Sequence, residues 1–485
     1  MRRKLSKKIV NQTKKSLIWD LTGSVLRQFA GIFISIILAR LLTPAEFGII
    51  GMAMVFIGIT EVFIDVGFTS GLIQQQNTKD IAYSSIFYVN LGISALLSLI
   101  IVLVAPYVSD FYNEPEIKFI LYYLALIPII AALGRVQSTI LSKRMDFRSL
   151  TIRSISATVV GGIAGVVAAY SGLGVYSLVV QQITTISTST VLLWFSTGWR
   201  PKLEFSMVEV KSLLGYSSYI FLDGVLRQIF NRIDTIFVGK FFSPSILGFY
   251  SRADSLRAQI DTYTTNSLRK VMFPALSALQ DDFQAFKQIY HKIFNVITGL
   301  TVMLVGPIYF LSHQIIIGML GQKWAPSIVF FQILLFSTLT TPQTGMMAQA
   351  VLAKGFSKLR FKLGLIQRVL KLAPMIFGYF FGIVNFAYAV ITVATLVFFI
   401  YAYVMDSKFQ ISFVKQVKEL LLPNVVFGVF LLFYHLFRED INAWLYAAGF
   451  VICNGLFLHL IKHESLTVVF NNLKTVKEKI SKFKR

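Results

Sequence analysis

The chain is poor in charge, poorer in acid, and almost without cysteine. Of its 485 residues only 14% are charged, where a soluble protein carries roughly 25%. A water-exposed surface large enough for this length cannot be built from so few charges, which excludes an ordinary soluble enzyme. The single cysteine, Cys453, excludes an intrachain disulfide, and the five histidines form no Cys/His cluster of metal-site spacing. Inside its apolar run Cys453 reads as a small buried hydrophobe, and no cofactor is implied. Acidic residues number 23 against 46 Lys and Arg, a net charge of +23. In a soluble domain that excess would suggest nucleic acid. Here no globular segment exists to present a basic patch, so nucleic acid is not an expected partner.

What the chain has is apolar length. It is 55% hydrophobic, with a mean hydropathy of +0.68, and residues 81–109 contain no charged side chain. A run of about 18 such residues crosses the hydrocarbon core as a helix. Backbone in lipid must satisfy its own hydrogen bonds, so repeated runs predict an all-α membrane protein. About fourteen spans are expected, near 16–40, 45–70, 83–108, 117–141, 151–171, 174–197, 214–240, 246–272, 288–312, 327–352, 359–381, 384–405, 418–437 and 441–461. The seventh and eighth carry several charges, and the eleventh holds Arg368 and Lys371. Pro128, Pro307 and Pro374 fall within spans and predict kinks or hinges.

Lys and Arg concentrate in alternate loops. With the N-terminus inside, cytoplasmic segments contain Arg2, Arg3, Lys4, then Lys143, Arg144, Arg148 and Arg153, then Arg200 and Lys202, then Lys354 and Lys358. The other loops hold little positive charge and several acids, among them Glu114 and Glu116. This is the positive-inside pattern of a multi-pass inner (cytoplasmic) membrane protein with both termini cytoplasmic. No cleavable leader is expected, because residues 1–15 are basic and polar and the following apolar segment lacks a small-residue cleavage pattern. The first helix then serves as an uncleaved anchor. The basic C-terminal tail is read as solvated, with membrane lipids as its neighbours.

An internal repeat organises the rest. Val25-Leu26-Arg27-Gln28 recurs without a gap as Val225-Leu226-Arg227-Gln228, and Pro44 and Gly48 recur as Pro244 and Gly248. The copies lie an even number of helices apart, so they face the same way. That is a parallel repeat, which relates two lobes by an axis along the membrane normal and places a carrier's substrate between the halves. The expected division is a basic N-terminus at 1–15, a first six-helix lobe at 16–200, a second at 201–410, two C-terminal helices at 411–462, and a basic tail at 463–485.

Three further stretches carry a resemblance: Leu41-Leu42-Thr43-Pro44-Ala45-Glu46-Phe47-Gly48, Phe273-Pro274-Ala275-Leu276-Ser277 and Leu320-Gly321-Gln322-Lys323-Trp324. In order and spacing the chain resembles the oligosaccharide-flippase (Wzx-type) branch of the MOP exporter superfamily, which also holds MATE drug exporters and murein-precursor flippases. It looks most like the flippases of exopolysaccharide, colanic-acid-like and teichuronic-acid-like pathways. The resemblance implies two six-helix lobes plus two C-terminal helices. It also implies undecaprenyl-pyrophosphate-linked oligosaccharide units as cargo, with a polysaccharide polymerase and a chain-length regulator as further candidate partners.

Ionisable groups in a span cost about 2.5–3.5 kcal/mol on insertion scales and mark a pathway or a partner. Arg27 and Arg227 occupy equivalent places in the two copies, each followed by a glutamine, Gln28 and Gln228. Arg257 and, further outward, Arg252 lie on the eighth helix. Guanidinium forks suit phosphate oxygens, so Arg27, Arg227, Arg252 and Arg257 are the candidate cationic floor for a pyrophosphate or an acidic sugar. An intrahelical alternative stands beside this one: Asp223 precedes Arg227 by one turn, and Asp254 and Asp261 flank Arg257. Glu61 and Asp65, one turn apart, are candidates for a coupling cation or proton, or else lie at a solvated cavity mouth or pair with Arg27; Arg232 with Asp234 is a candidate gate pair. Arg135 is read as snorkelling from the cytoplasmic end, and Trp324 as an interfacial anchor.

Three other functions stand beside this one. A membrane polymerase or glycosyltransferase needs an extramembrane site, and no external loop combines paired carboxylates with a histidine or a metal motif, so the chain is not read as an enzyme. A cation-coupled drug antiporter calls for an acidic cavity, against the arginine-rich spans. A murein-precursor lipid flippase would share fold and cationic character with the favoured reading.

Overall fold

The computed structural model describes the backbone of residues 2–65, 68–75, 78–437 and 442–461; within those helices the side chains of 2–18, 20–21, 62, 65, 70, 213–223 and 263–271 are outside the description. Among the described residues every regular element is a helix. In chain order these are α1 (Arg2–Leu41), α2 (Pro44–Asp65), α3 (Phe68–Gln74), α4 (Asp80–Tyr112), α5 (Glu116–Leu124), α6 (Leu126–Lys143), α7 (Phe147–Tyr170), α8 (Tyr176–Thr197), α9 (Met207–Phe241) and α10 (Pro244–Ser277). They continue as α11 (Phe283–Phe310), α12 (Ser312–Leu320), α13 (Ser327–Thr338), α14 (Thr341–Ala353), α15 (Ser357–Leu370), α16 (Ala373–Phe381), α17 (Ile383–Phe409), α18 (Phe413–Leu436) and α19 (Ala443–Leu460). Each of the expected spans falls on one helix or on a consecutive pair. Eleven stretches of the described residues are long and apolar enough to cross a membrane; the charge-bearing α9 and α10 and the broken α13–α14 pair are not among them. The protein is a multi-pass helical membrane protein.

The breaks follow proline chemistry. Proline lacks the N–H that would bond the carbonyl four residues back, and its ring clashes with that carbonyl. Helix α5 ends at Leu124, four before Pro128; α13 ends at Thr338, four before Pro342; α15 ends at Leu370, four before Pro374. Pro307, expected to act likewise, sits inside an unbroken α11, as do Pro106 in α4 and Pro423 in α18. Helix α1 starts at Arg2 rather than near residue 16: no proline or glycine interrupts the basic stretch before the span.

Two compact units divide the chain, Met1–Gly248 and Phe249–Arg485. In the first, α7 lies between α1 and α8. Gly161 and Gly165, one turn apart, let α8 approach; a methyl group at Gly161 would come within 1.9 Å of Thr185 Oγ1. Small residues serve this purpose where lipid removes the hydrophobic drive for association. Helix α9 packs with this unit, on α2, α3 and α4. The second unit centres on the buried Tyr290, Phe294, Phe398 and Tyr401. Its C-terminal helices α18 and α19 pack on α11, where a methyl group at Gly306 would collide with the Phe450 ring.

Trp324 and Cys453 depart from expectation. Trp324 is fully buried, with Phe249 edge-on at 6.1 Å and the Arg252 guanidinium 5.8 Å above its ring; it is a core side chain, not an interfacial anchor. Cys453 is exposed, because α19 turns Phe450, Asn454 and Leu458 inward and leaves Cys453 to one side of that face.

Candidate functional site

The repeated Pro-x-x-x-Gly elements meet each other within the first unit. A methyl group on Gly48 would lie 1.9 Å from the Pro244 carbonyl oxygen, and one on Gly248 would lie 1.9 Å from that of Pro44. The starts of α2 and α10 therefore touch backbone to backbone, each copy using its glycine to admit the other's proline carbonyl. The first copy is more elaborately capped. Thr43 N donates to Glu46 Oε2 at 2.6 Å while Glu46 N donates to Thr43 Oγ1 at 3.4 Å, a capping box. In the second copy Ile246 replaces the glutamate, and Ser243 Oγ alone accepts from Ile246 N at 3.4 Å.

Arg27 and Arg227 stand equally far from their helix ends, about 21 Å at 1.5 Å per residue, and both are exposed. Arg27 Nη1 donates to Ser154 Oγ on α7 at 3.4 Å. Gln28 is half-buried. On α9, Gln228 and Arg232 lie over Gly58 of α2, where a methyl group would approach Gln228 Nε2 at 2.8 Å and Arg232 Nε at 3.7 Å. Glu61, one turn further along α2, is exposed, and Asp234 is half-buried. The side chains of Asp65 and Asp223 lie outside the described residues.

Arg257 in the second unit is held differently. Its Nε and Nη2 donate to Asp254 Oδ1 at 2.9 and 2.7 Å, and Nη1 donates to Asp261 Oδ2 at 2.7 Å and to Ser337 Oγ at 3.3 Å. Two carboxylates on its own helix more than neutralise it. Arg252 stacks over Trp324.

Sequence reasoning misplaced two groups and missed a third. Arg135 lies well inside α6, half-buried, and Arg153 lies inside α7 rather than in a loop. The signal was available in part, since both precede or follow their turn by two helical turns. The third is a pair between α11 and α18: His291 Nδ1 is 2.7 Å from Glu419 Oε2, both nearly buried, with Lys415 Nζ 3.9 Å from the other carboxylate oxygen. Outside the spans, Glu114 is held above the usual carboxylate range by burial and by the neighbouring Glu116. No group of three or more His, Cys, Asp or Glu suited to a metal occurs among the described residues.

Known proteins place this architecture. The chain is 19% identical to the lipopolysaccharide biosynthesis protein WzxC of Escherichia coli (strain K12) over 362 residues, 74% of each chain. It is 22% identical to the teichuronic acid biosynthesis protein TuaB of Bacillus subtilis (strain 168) over 304 residues, covering 62% of this chain and 63% of that one. Its fold matches the lipid II flippase MurJ in an inward closed conformation at a TM-score of 0.73, with 14% identity, over 94% of this chain and 99% of that one. Residues 37–329, more than half of the chain, match the polysaccharide biosynthesis protein family, and the chain belongs to that family.

Proposed function

We propose that the protein is a flippase that carries an undecaprenyl-pyrophosphate-linked oligosaccharide unit across the cytoplasmic membrane for assembly of an exopolysaccharide, capsule or O-antigen, by alternating access. The observation that carries this reading is Arg27: an arginine in an apolar span, on a MurJ-like fold, that has a serine hydroxyl rather than a carboxylate as its partner among the described residues. A membrane cation with no carboxylate bonded to it among the described residues is suited to a mobile anion, and the diphosphate supplies one. Arg227 is its repeat counterpart. The headgroup enters while the polyprenyl tail stays in lipid; both termini stay cytoplasmic, and a polymerase consumes the exported unit. Outward movement of negative charge through an inside-negative potential is favourable by about 2.3 kcal/mol per charge per 100 mV.

The test is complementation of a strain lacking its own flippase. Arg27→Ala and Arg227→Ala should each abolish surface polymer while the protein still accumulates in the membrane. Arg→Lys should restore part of it, since lysine keeps the charge but not the fork. Normal polymer from both alanine variants overturns the cationic role. Rescue of a strain depleted of its lipid II flippase, with no rescue of polymer export, would replace the oligosaccharide cargo with a murein precursor.

A further inference from the structure

Helices α11 and α18 run parallel through the second unit in fixed register. Tyr290 meets Gln416, His291 meets Glu419 and Tyr309 meets His435, at sequence offsets of 126, 128 and 126. Two of the chain's five histidines therefore clasp one seam, about 27 Å apart along it at 1.5 Å per residue. The His291 clasp lies at the end that carries Lys287, Lys292, Lys415 and Lys418, the end read as cytoplasmic.

That clasp is more than one bond. Glu419 Oε2 lies 2.7 Å from His291 Nδ1, and Oε1 accepts from Asn295 Nδ2 at 3.4 Å. His291 and Asn295 stand one turn apart on the same face of α11. An ionised carboxylate only accepts, so the amide nitrogen of Asn295 faces it and the amide oxygen does not. That Oδ1 is buried without a donor among the described residues, and the buried Nε2 of His291 has no partner there either. The imidazole is 8% exposed, too little for solvent to serve it. A neutral imidazole has one N–H; spent on Glu419, it leaves Nε2 a second acceptor beside an acceptor that already lacks a donor. One further proton reverses this. It makes Nε2 a donor and turns the bond to Glu419 into an imidazolium–carboxylate pair, the stronger kind.

Little else titrates against the pair. Lys415 Nζ lies 3.9 Å from Glu419 Oε1, and its side chain is mostly exposed. On α11 itself, Tyr290 Oη donates to Gln416 Oε1 at 2.7 Å, and Lys287 lies over the Phe283 ring. Tyr401 of α17 accepts from Arg360 Nη1 at 3.2 Å. Helices α13 and α14 contain no titratable residue, and α10 adds Met272 and Leu276 to the same core. Lys292, Lys418, Asp406 and Lys408 are exposed, as are His313 on α12 and His459 on α19. The side chains of Arg269 and Lys270 lie outside the described residues.

We propose that His291, Asn295 and Glu419 form a proton-binding site at one end of the α11–α18 seam, whose proton tightens the seating of α18 on the second unit. The seated form then holds one proton more than the loosened form, so seating strengthens as pH falls and weakens as it rises. The site is separate from the repeat arginines and does not rest on the flippase reading.

Hydrogen exchange read by mass spectrometry, on the full-length protein in phosphatidylcholine nanodiscs, reports the seating as protection of residues 413–420. After correction for the intrinsic exchange rate, that protection should fall at least fivefold from pH 6 to pH 8; one proton permits at most about tenfold per pH unit. His291→Gln and Glu419→Gln should each bring the two values within twofold of one another. Tyr290→Phe removes the neighbouring bond to Gln416, which does not titrate in this range. It should lower protection at both pH values and keep the fivefold ratio. Equal protection of the parent at pH 6 and pH 8 overturns the proposal without recourse to any variant. A fivefold ratio that survives in monodisperse His291→Gln protein overturns it too. Loss of the ratio in His435→Gln, with its retention in His291→Gln, moves the pH response to the other clasp and is equally fatal.

Discussion

The two units treat a membrane arginine in opposite ways. In the second, Arg257 lies between Asp254 and Asp261, both at 2.7 Å, and its side chain is 18% exposed. In the first, Arg27 donates to Ser154 Oγ at 3.4 Å and has no carboxylate bonded to it among the described residues. A closed ion triad stabilises a fold and has no affinity to spare for a passing anion. An arginine whose described partner is a hydroxyl keeps its charge for a second partner. The same residue type in the same kind of helix therefore serves structure in one unit and, on the reading above, cargo in the other.

That contrast is broken most directly by removing each arginine and measuring thermal stability in detergent. Arg257→Gln leaves two carboxylates facing each other and should cost about 2–3 kcal/mol, below the 3–5 typical of a fully buried pair because Asp254 is partly exposed. Adding Asp254→Asn and Asp261→Asn should restore most of the loss. Arg27→Gln loses one long hydrogen bond to Ser154 and should leave stability within about 0.5 kcal/mol of the parent. A large loss from Arg27→Gln with none from Arg257→Gln would invert the assignment of roles.

How much of this could be read from residues alone differs between backbone and side chains. Helix existence follows from apolar length, and Pro128 and Pro374 announced their breaks, because a missing N–H acts four residues away in the same chain. The Arg257 triad was visible for the same local reason, as one of two readings of its i−3 and i+4 carboxylates. Arg153 was not: alone it looks like a charge near a loop, and only the close α1–α7 seam sets it next to Ser154, the residue to which Arg27 donates. Trp324 and Cys453 were misread because exposure depends on which helix face meets a neighbour. Both faces of α19 are apolar, so hydropathy could not decide between them.

The repeat provides a second, symmetric comparison. Gly48 and Gly248 each admit the opposite proline carbonyl at the same 1.9 Å for a built methyl group, so Gly48→Ala and Gly248→Ala should cost alike. The obstacle is backbone, which cannot rotate away, and overpacking of this kind costs about 1–3 kcal/mol. Equal falls in melting temperature support a reciprocal contact. If one variant is silent and the other severe, the two copies do not share the junction evenly.

The smallest effect tests where the copies diverge. Thr43 and Glu46 satisfy each other's backbone N–H groups at the start of α2, while Ser243 acts without an acidic partner at the start of α10. A lost cap costs about 1 kcal/mol, so Thr43→Ala should destabilise by about that amount and Ser243→Ala by roughly half, its single bond being long. Glu46→Gln keeps an acceptor that completes the same box and should be nearly neutral, whereas Glu46→Ala should match Thr43→Ala. Melting curves of the four variants suffice. Were Ser243→Ala the most damaging, the second copy would depend on its cap more than the first, and the strength of the α2 start would have to come from the Pro44 carbonyl contact with Gly248 rather than from Glu46.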